Sequence, residues 1–174
     1  MDLYSIINEN HLWEKQISIK RNEYLVEENC INQDLFFVID GSLKVSCIID
    51  DEEQIIRLGY SNSFLTALDS FLTNTPTKYS ITALKSATLK SISKNKLLHF
   101  LEENYLQNLW IDVLNTLIIQ QSEREIDLLT TSAKDRYERV LKRSPKLFQN
   151  IPHKYIANYL RISPETLSRL IKKS

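Results

Sequence analysis

Ser163 followed by Pro164 divides the closing stretch of this 174-residue chain in two, and no other feature constrains the fold as tightly. A serine hydroxyl just ahead of a helix accepts a backbone N–H, and proline fits the first helical position, where no N–H is needed. A helix is therefore expected to start at Pro164 and run on through Glu165-Thr166-Leu167-Ser168-Arg169-Leu170-Ile171-Lys172. Upstream, the segment from Ile151 to Leu160 has helical spacing of its own. There Ile156 and Leu160 share a face, and the small Ala157 sits where two helices must approach. Ile162 fills the turn, while Leu167 and Leu170 face back. Two short helices crossing around that apolar set form a helix-turn-helix, a motif that lays its second helix in the major groove of DNA. Arg161 departs from the pattern: it stands in the turn where glycine is usual, and a left-handed arginine there is strained.

The exposed face of the second helix carries Glu165, Ser168, Arg169 and Lys172. A glutamate can accept from a cytosine amino group and an arginine can fork onto a guanine, and residues four apart present side by side. The plain structural reading of Glu165 and Arg169 is an exposed helical ion pair worth only ~0.3 kcal/mol. Charge favours the nucleic acid. From Lys134 to Ser174 there are eleven Lys or Arg against three acidic residues, whereas the other 133 residues carry a net −8. Lys154, Lys172 and Lys173 are expected to touch phosphates, and Ser163 and Thr166, at the helix start, complete the expected DNA-binding set.

The remainder reads as a β unit followed by a long helix. Leu35-Phe36-Phe37-Val38-Ile39 is a compact apolar run, and Asp40-Gly41 carries a turn signal. Leu43, Val45 and Cys47 then alternate with polar residues, Asp50-Asp51-Glu52-Glu53 forms a charged hairpin tip, and Ile55 to Leu58 returns from it. Two more strand-like runs follow, Tyr79 to Leu84 and Thr88 to Ser93, giving an antiparallel roll or sandwich. From Lys94 to Leu129 neither glycine nor proline occurs, and Leu106, Leu109, Val113, Leu117 and Ile118 keep one helical stripe apolar. A second copy of the chain is the expected cover for that stripe. The fold class is thus α+β: an antiparallel β-roll over 1–103, a long dimerisation helix over 104–132 and a small helix-turn-helix domain over 133–174.

Several function classes are excluded or disfavoured. Only two glycines occur, Gly41 and Gly59, which leaves no glycine-rich phosphate loop. Cys30 and Cys47 are too few for an iron–sulfur cluster and lack zinc spacing, and the three histidines are scattered, so neither metal nor cofactor is expected. No apolar run approaches the roughly 18 residues that span a bilayer, and Met1 to Trp13 lacks the make-up of a signal peptide; a cytoplasmic location without membrane attachment is expected. No clustered acid, base and nucleophile points to an enzyme.

Together these stretches resemble the Crp/Fnr family of bacterial transcription regulators. Phe36 to Val45 resembles the opening strands and glycine turn of that family's cyclic-nucleotide-binding roll, Lys94–Leu129 its dimerisation helix, and Pro164 to Arg169 its recognition helix. The resemblance implies a homodimer on a near-palindromic DNA operator, with a small-molecule effector and RNA polymerase as further partners. It also implies an effector pocket built from Thr66, Ala67, Leu68, Lys78, Tyr79, Gln121 and Ser122. Members that bind cyclic AMP carry a glycine-glutamate pair where Thr66 and Ala67 stand, and a phosphate-clamping arginine near Thr77-Lys78. Both are missing, so cyclic AMP is not the expected ligand. Pro164 stands where an arginine is common, and no β-wing is expected after the recognition helix; fewer contacts per half-site follow. The competing reading is a ligand-binding or protein-interaction module whose DNA-binding motif is vestigial.

Overall fold

A computed structural model describes residues 2–172. The chain opens with α1 (Leu3–Glu9), capped by the Asp2 carboxylate, which accepts the Ser5 N–H at 2.9 Å. Strands β1 (Lys15–Ile19), β2 (Tyr24–Val26), β3 (Asp34–Ile49), β4 (Glu52–Tyr60) and β5 (Ser63–Leu65) follow, then the short α2 (Leu68–Thr73) and β6 (Ser80–Ser93). The main sheet order is β1-β6-β3-β4, with β2 added to β6 and β5 to β3, every pairing antiparallel.

Two expected strand pairs prove to be continuous. The Asp40-Gly41 signal is a bulge inside the 16-residue β3, and not a turn. Gly41 takes φ +92, and the β3–β6 register shifts on both sides of it, so the long strand bends without breaking. Likewise Tyr79 to Leu84 and Thr88 to Ser93 belong to one strand, β6, from Ser80 onward. The charged tip does form a tight turn, with Asp50 and Asp51 both at positive φ. Phe36, Val38, Leu43, Val45, Leu65, Ile81 and Leu89 fill the roll. Burying a side chain of this kind stabilises by roughly 1.5–3 kcal/mol.

The Lys94–Leu129 stretch forms two helices. α3 (Lys94–Glu103) closes where Tyr105 turns left-handed at φ 56, and α4 (Gln107–Leu129) starts two residues later. The Leu106 N–H reaches back to Leu101 O at 2.7 Å, a helix-ending geometry that usually employs glycine. The expected stripe is shared between two environments. Leu106, Leu109, Trp110 and Val113 pack on a cluster of Leu3, Ile7, Phe71, Ile92, Leu97 and Leu101 from the chain's own N-terminal part. Ile118 is instead exposed, as are Ile111, Ile119, Ile126 and Leu129.

Four helices complete the described residues: α5 (Ala133–Arg143), α6 (Pro145–Asn150), α7 (His153–Leu160) and α8 (Pro164–Ile171). Pro145 occupies the first position of α6, where its fixed φ suits a helix start and no N–H is needed. Their shared core holds Tyr137, Val140, Leu147, Ile151, Ile156, Ala157, Leu160 and Leu167. Leu84 of β6, with Leu58 and Tyr60 of β4, joins it, so the C-terminal helices are packed onto the roll.

Candidate nucleic-acid interface

Helix α8 is fixed by three local devices. At its start the Ser163 hydroxyl oxygen accepts the Thr166 N–H at 3.1 Å, and Pro164 occupies the first turn. Before it, Arg161 adopts φ 56, ψ 45, ending α7 in the left-handed conformation that glycine would supply more cheaply. There the Arg161 N–H donates to Asn158 O and the Ile162 N–H to Ala157 O, both at 3.0 Å. Beneath it Leu167 is fully buried against Ile156, Ala157 and Leu160, which pins the rotation of α8 about its own axis.

That rotation leaves Glu165, Ser168, Arg169 and Lys172 exposed on one side. Thr166 is half-buried, and its hydroxyl oxygen accepts from Arg169 Nη2 at 3.3 Å, steadying the guanidinium along the helix. Lys154 is exposed on the first turn of α7, its ammonium 4.6 Å from the centre of the Tyr155 ring, within cation–π range. Ser163 is exposed as well as capping. Lys173 lies outside the described residues.

Part of the basic surplus has an internal use. Arg139 bonds Asp127 Oδ1 at 3.0 Å and Glu123 at 2.8 Å, and Arg143 joins both carboxylates. The hydrogen bond to Asp127 raises the Arg143 pKa above its ordinary value. Arg136 donates to Thr130 O and, at 3.4 Å, to Arg161 O. Arg124, also from α4, is buried flat against the Tyr159 ring at 3.7 Å and donates to the Tyr159 carbonyl; burial lowers its pKa. These groups tie the long helix to α5 and, through Arg124, to α7. Sequence reasoning missed them because their partners lie 6 to 35 positions apart. It also missed Asn158. An asparagine among α7's apolar residues, flanked by Tyr155 and Tyr159, is the one local signal that this face meets something other than solvent.

The expected effector residues are not gathered in one place. A cavity of about 490 Å³ lies where β2's end, the β3–β4 hairpin and the approach to β6 meet, lined by Glu28, Asn29, Cys47, Ile48, Ile49, Ile56, Lys78 and Tyr79. Of the expected set it takes in Lys78 and Tyr79. Thr66 donates its hydroxyl to Asp34 O at 3.0 Å, Ala67 is wholly buried in the roll, Leu68 begins α2, and Gln121 and Ser122 are exposed on α4. Near the expected phosphate position a carboxylate of the chain itself takes the donors. Asp69 accepts from the Thr77 hydroxyl at 2.7 Å and from the Lys78 N–H at 2.8 Å. Burial opposes the Asp69 charge, but these bonds and one from the Ser70 N–H outweigh it and lower its pKa. In the cavity, burial raises the pKa of both Cys47 and Tyr79.

An antiparallel roll followed by several helices matches the fold of the Crp/Fnr regulators. Residues 16–104 match the cyclic nucleotide-binding domain, and the chain belongs to the cyclic nucleotide-binding domain family. A CooA mutant from Carboxydothermus hydrogenoformans is similar in structure, with a TM-score of 0.72 at 15% identity over 99% of this chain and 84% of that one. FixK2 from Bradyrhizobium japonicum gives 0.71 at 15% identity, covering 91% and 83%. CLP from Xanthomonas campestris, a c-di-GMP-responsive global regulator, gives 0.67 at 17%, covering 99% and 91%. At such identities the likeness is one of fold. No curated protein matches the chain. No helix among the described residues is long and apolar enough to cross a membrane.

Proposed function

We propose that this protein is a sequence-specific, DNA-binding transcription regulator that acts as a homodimer. The observation that carries the reading is the α8 face: Glu165, Ser168, Arg169 and Lys172 are exposed on the side away from a buried Leu167, on a helix whose start and rotation are fixed. Glu165 and Arg169 read base edges, while Lys154, Lys172 and Lys173 contact phosphates. The exposed Ile111, Ile118, Ile119, Ile126 and Leu129 on α4 supply the surface for the second copy. Two reading helices about 34 Å apart then meet successive major grooves of a near-palindromic operator.

The roll is the effector module, and its ligand is not cyclic AMP. Thr66 and Ala67 offer no carboxylate to a ribose, and Asp69 already takes the Thr77 hydroxyl and the Lys78 backbone N–H. Selection from random duplex DNA by the wild-type protein and by Arg169→Ala, at two salt concentrations, tests the reading. Enrichment of a palindrome by the wild type alone, weakening steeply with salt, supports it. Equal, sequence-blind retention by both proteins overturns it in favour of a basic tail.

A further inference from the structure

Asn158 belongs to the helix-turn-helix pair, yet its carboxamide is bonded to the sheet. Its Oδ1 accepts the Ile55 N–H at 2.9 Å, and its Nδ2 donates to the Glu53 carbonyl at 2.9 Å. β4 is the last strand in the sheet order, so these two groups lie on its unpaired edge. A carboxamide that satisfies the carbonyl of one residue and the N–H two residues later does what one residue of a parallel neighbouring strand would do. Only an amide side chain both donates and accepts in this way. The same face of α7 is held at two further points: the Tyr155 ring lies 5.6 Å from Lys44 Nζ of β3, and Tyr159 stacks on Arg124 of α4.

The strand segment that Asn158 holds is also a wall of the cavity. Ile56, directly after Ile55, lines it, as do Cys47, Ile48 and Ile49, and of these Cys47 and Ile48 pair with Gln54 and Glu53. The β3–β4 register shifts between Val45 and Ser46, leaving Ile56 as the extra residue of a bulge. A bulge is the place where a strand most readily changes twist.

We infer that Asn158 is a positioning residue that locks α7, and through it the reading helix α8, to the edge of β4, so that a change in the cavity reaches α8 through Ile56 and Ile55. This rests on the DNA-binding reading for its purpose but not for its geometry. A merely structural Asn158, covering a strand edge, would lower stability when removed and leave the response of α8 to the cavity unaltered.

The test uses a synthetic occupant. In a Cys30→Ser protein, Cys47 is the single thiol, and N-ethylmaleimide attached there at alkaline pH fills the cavity. Backbone amide spectra and amide exchange are then compared with and without Asn158→Ala, with Asn158→Asp as a second variant that keeps the shape but loses the donor. With Asn158 present, alkylation should shift the Thr166 to Leu170 amides and speed exchange at Ile55 about tenfold. In either variant it should still perturb Ile56 and Tyr79 while α8 stays still. Equal α8 shifts with and without Asn158, or none in either, overturn the inference. Operator binding measured in parallel should change about fivefold or more on alkylation only when Asn158 is present. If α8 follows the cavity but no variant binds DNA, the positioning role stands and the DNA-binding reading falls.

Discussion

Arg143 holds both carboxylate oxygens of Asp127, whose side chain is wholly withdrawn from solvent. Arg139 bonds the same carboxylate from the preceding turn of α5, so one buried anion carries two cations across the α4–α5 joint. Removing one member of a buried ion network leaves the others uncompensated, which typically costs about 3–5 kcal/mol. Asp127→Ala should therefore lower the unfolding free energy by that order, read as a shift in urea midpoint. Glu123→Ala, at a half-exposed partner, should cost about 1 kcal/mol or less. Equal effects from the two would mean that the joint is not organised around Asp127.

Gly41 should tolerate no side chain. A Cβ built there would sit 2.4 Å from the Ser86 carbonyl oxygen and 2.6 Å from the Ala87 Cα, both backbone atoms, at a φ of +92 that side chains rarely adopt. Gly41→Ala must move β6 or straighten the bulge, so a loss of several kcal/mol is expected, at the far end of what single substitutions do. A thermal midpoint within about 2 °C of wild type would show that the β3–β6 bulge can relax.

Arg161→Gly should act in the opposite direction. A left-handed non-glycine residue costs roughly 1–2 kcal/mol, and the bonds that set the Arg161 conformation use its backbone, which glycine retains. Glycine's greater freedom in the unfolded chain offsets part of that gain, so a net stabilisation of about 1 kcal/mol is expected in chemical denaturation. Destabilisation would mean that the arginine side chain holds the turn.

What the sequence made legible follows from how local each determinant is. Ser163-Pro164, Ala157 and Leu167 act within one or two helical turns, so the reading pair can be placed from the residues alone. Asp50-Asp51 is equally local. The Asp40-Gly41 signal marks a glycine at positive φ, but a bulge and a turn ask the same of it; only the pairing of β6 distinguishes them. The Tyr105 break has no glycine or proline to mark it, since a left-handed tyrosine is held there by backbone bonds to Leu101 and Glu102. Arg124, Asp127 and Asn158 serve partners on other elements. Their roles become visible only when the C-terminal helices are seen packed on β4.

Asp69 makes the stability pH-dependent in a definite direction. Its folded pKa lies below the ordinary 3.8, held there by the Lys78 and Thr77 bonds against the effect of burial. A carboxyl with a depressed folded pKa contributes stability above its unfolded value, and that contribution is lost as pH falls through the folded one. Urea midpoints measured downward from about pH 5 should fall more steeply for wild type than for Asp69→Asn, the curves converging in acid. Parallel curves would show that the Thr77 and Lys78 donors do not depend on the charge.

The two kinds of contact proposed for α7 and α8 predict different signatures on DNA. Lys154 is exposed at the start of α7 and presents a point charge on an aromatic ring, which suits a phosphate and reads no base. Lys154→Ala should weaken every duplex alike and flatten the slope of log affinity against log salt by about 0.9, the value for one phosphate contact. Glu165 sits in the first turn of α8, where its carboxylate faces outward and can accept from a base amino group. Glu165→Ala should relax preference at one position of each half-site by about 1–3 kcal/mol and leave the salt slope nearly as it was. The comparison also bears on the competing reading. A vestigial motif on a basic tail would let both substitutions alter only the salt-dependent part, because no base edge would be read at all.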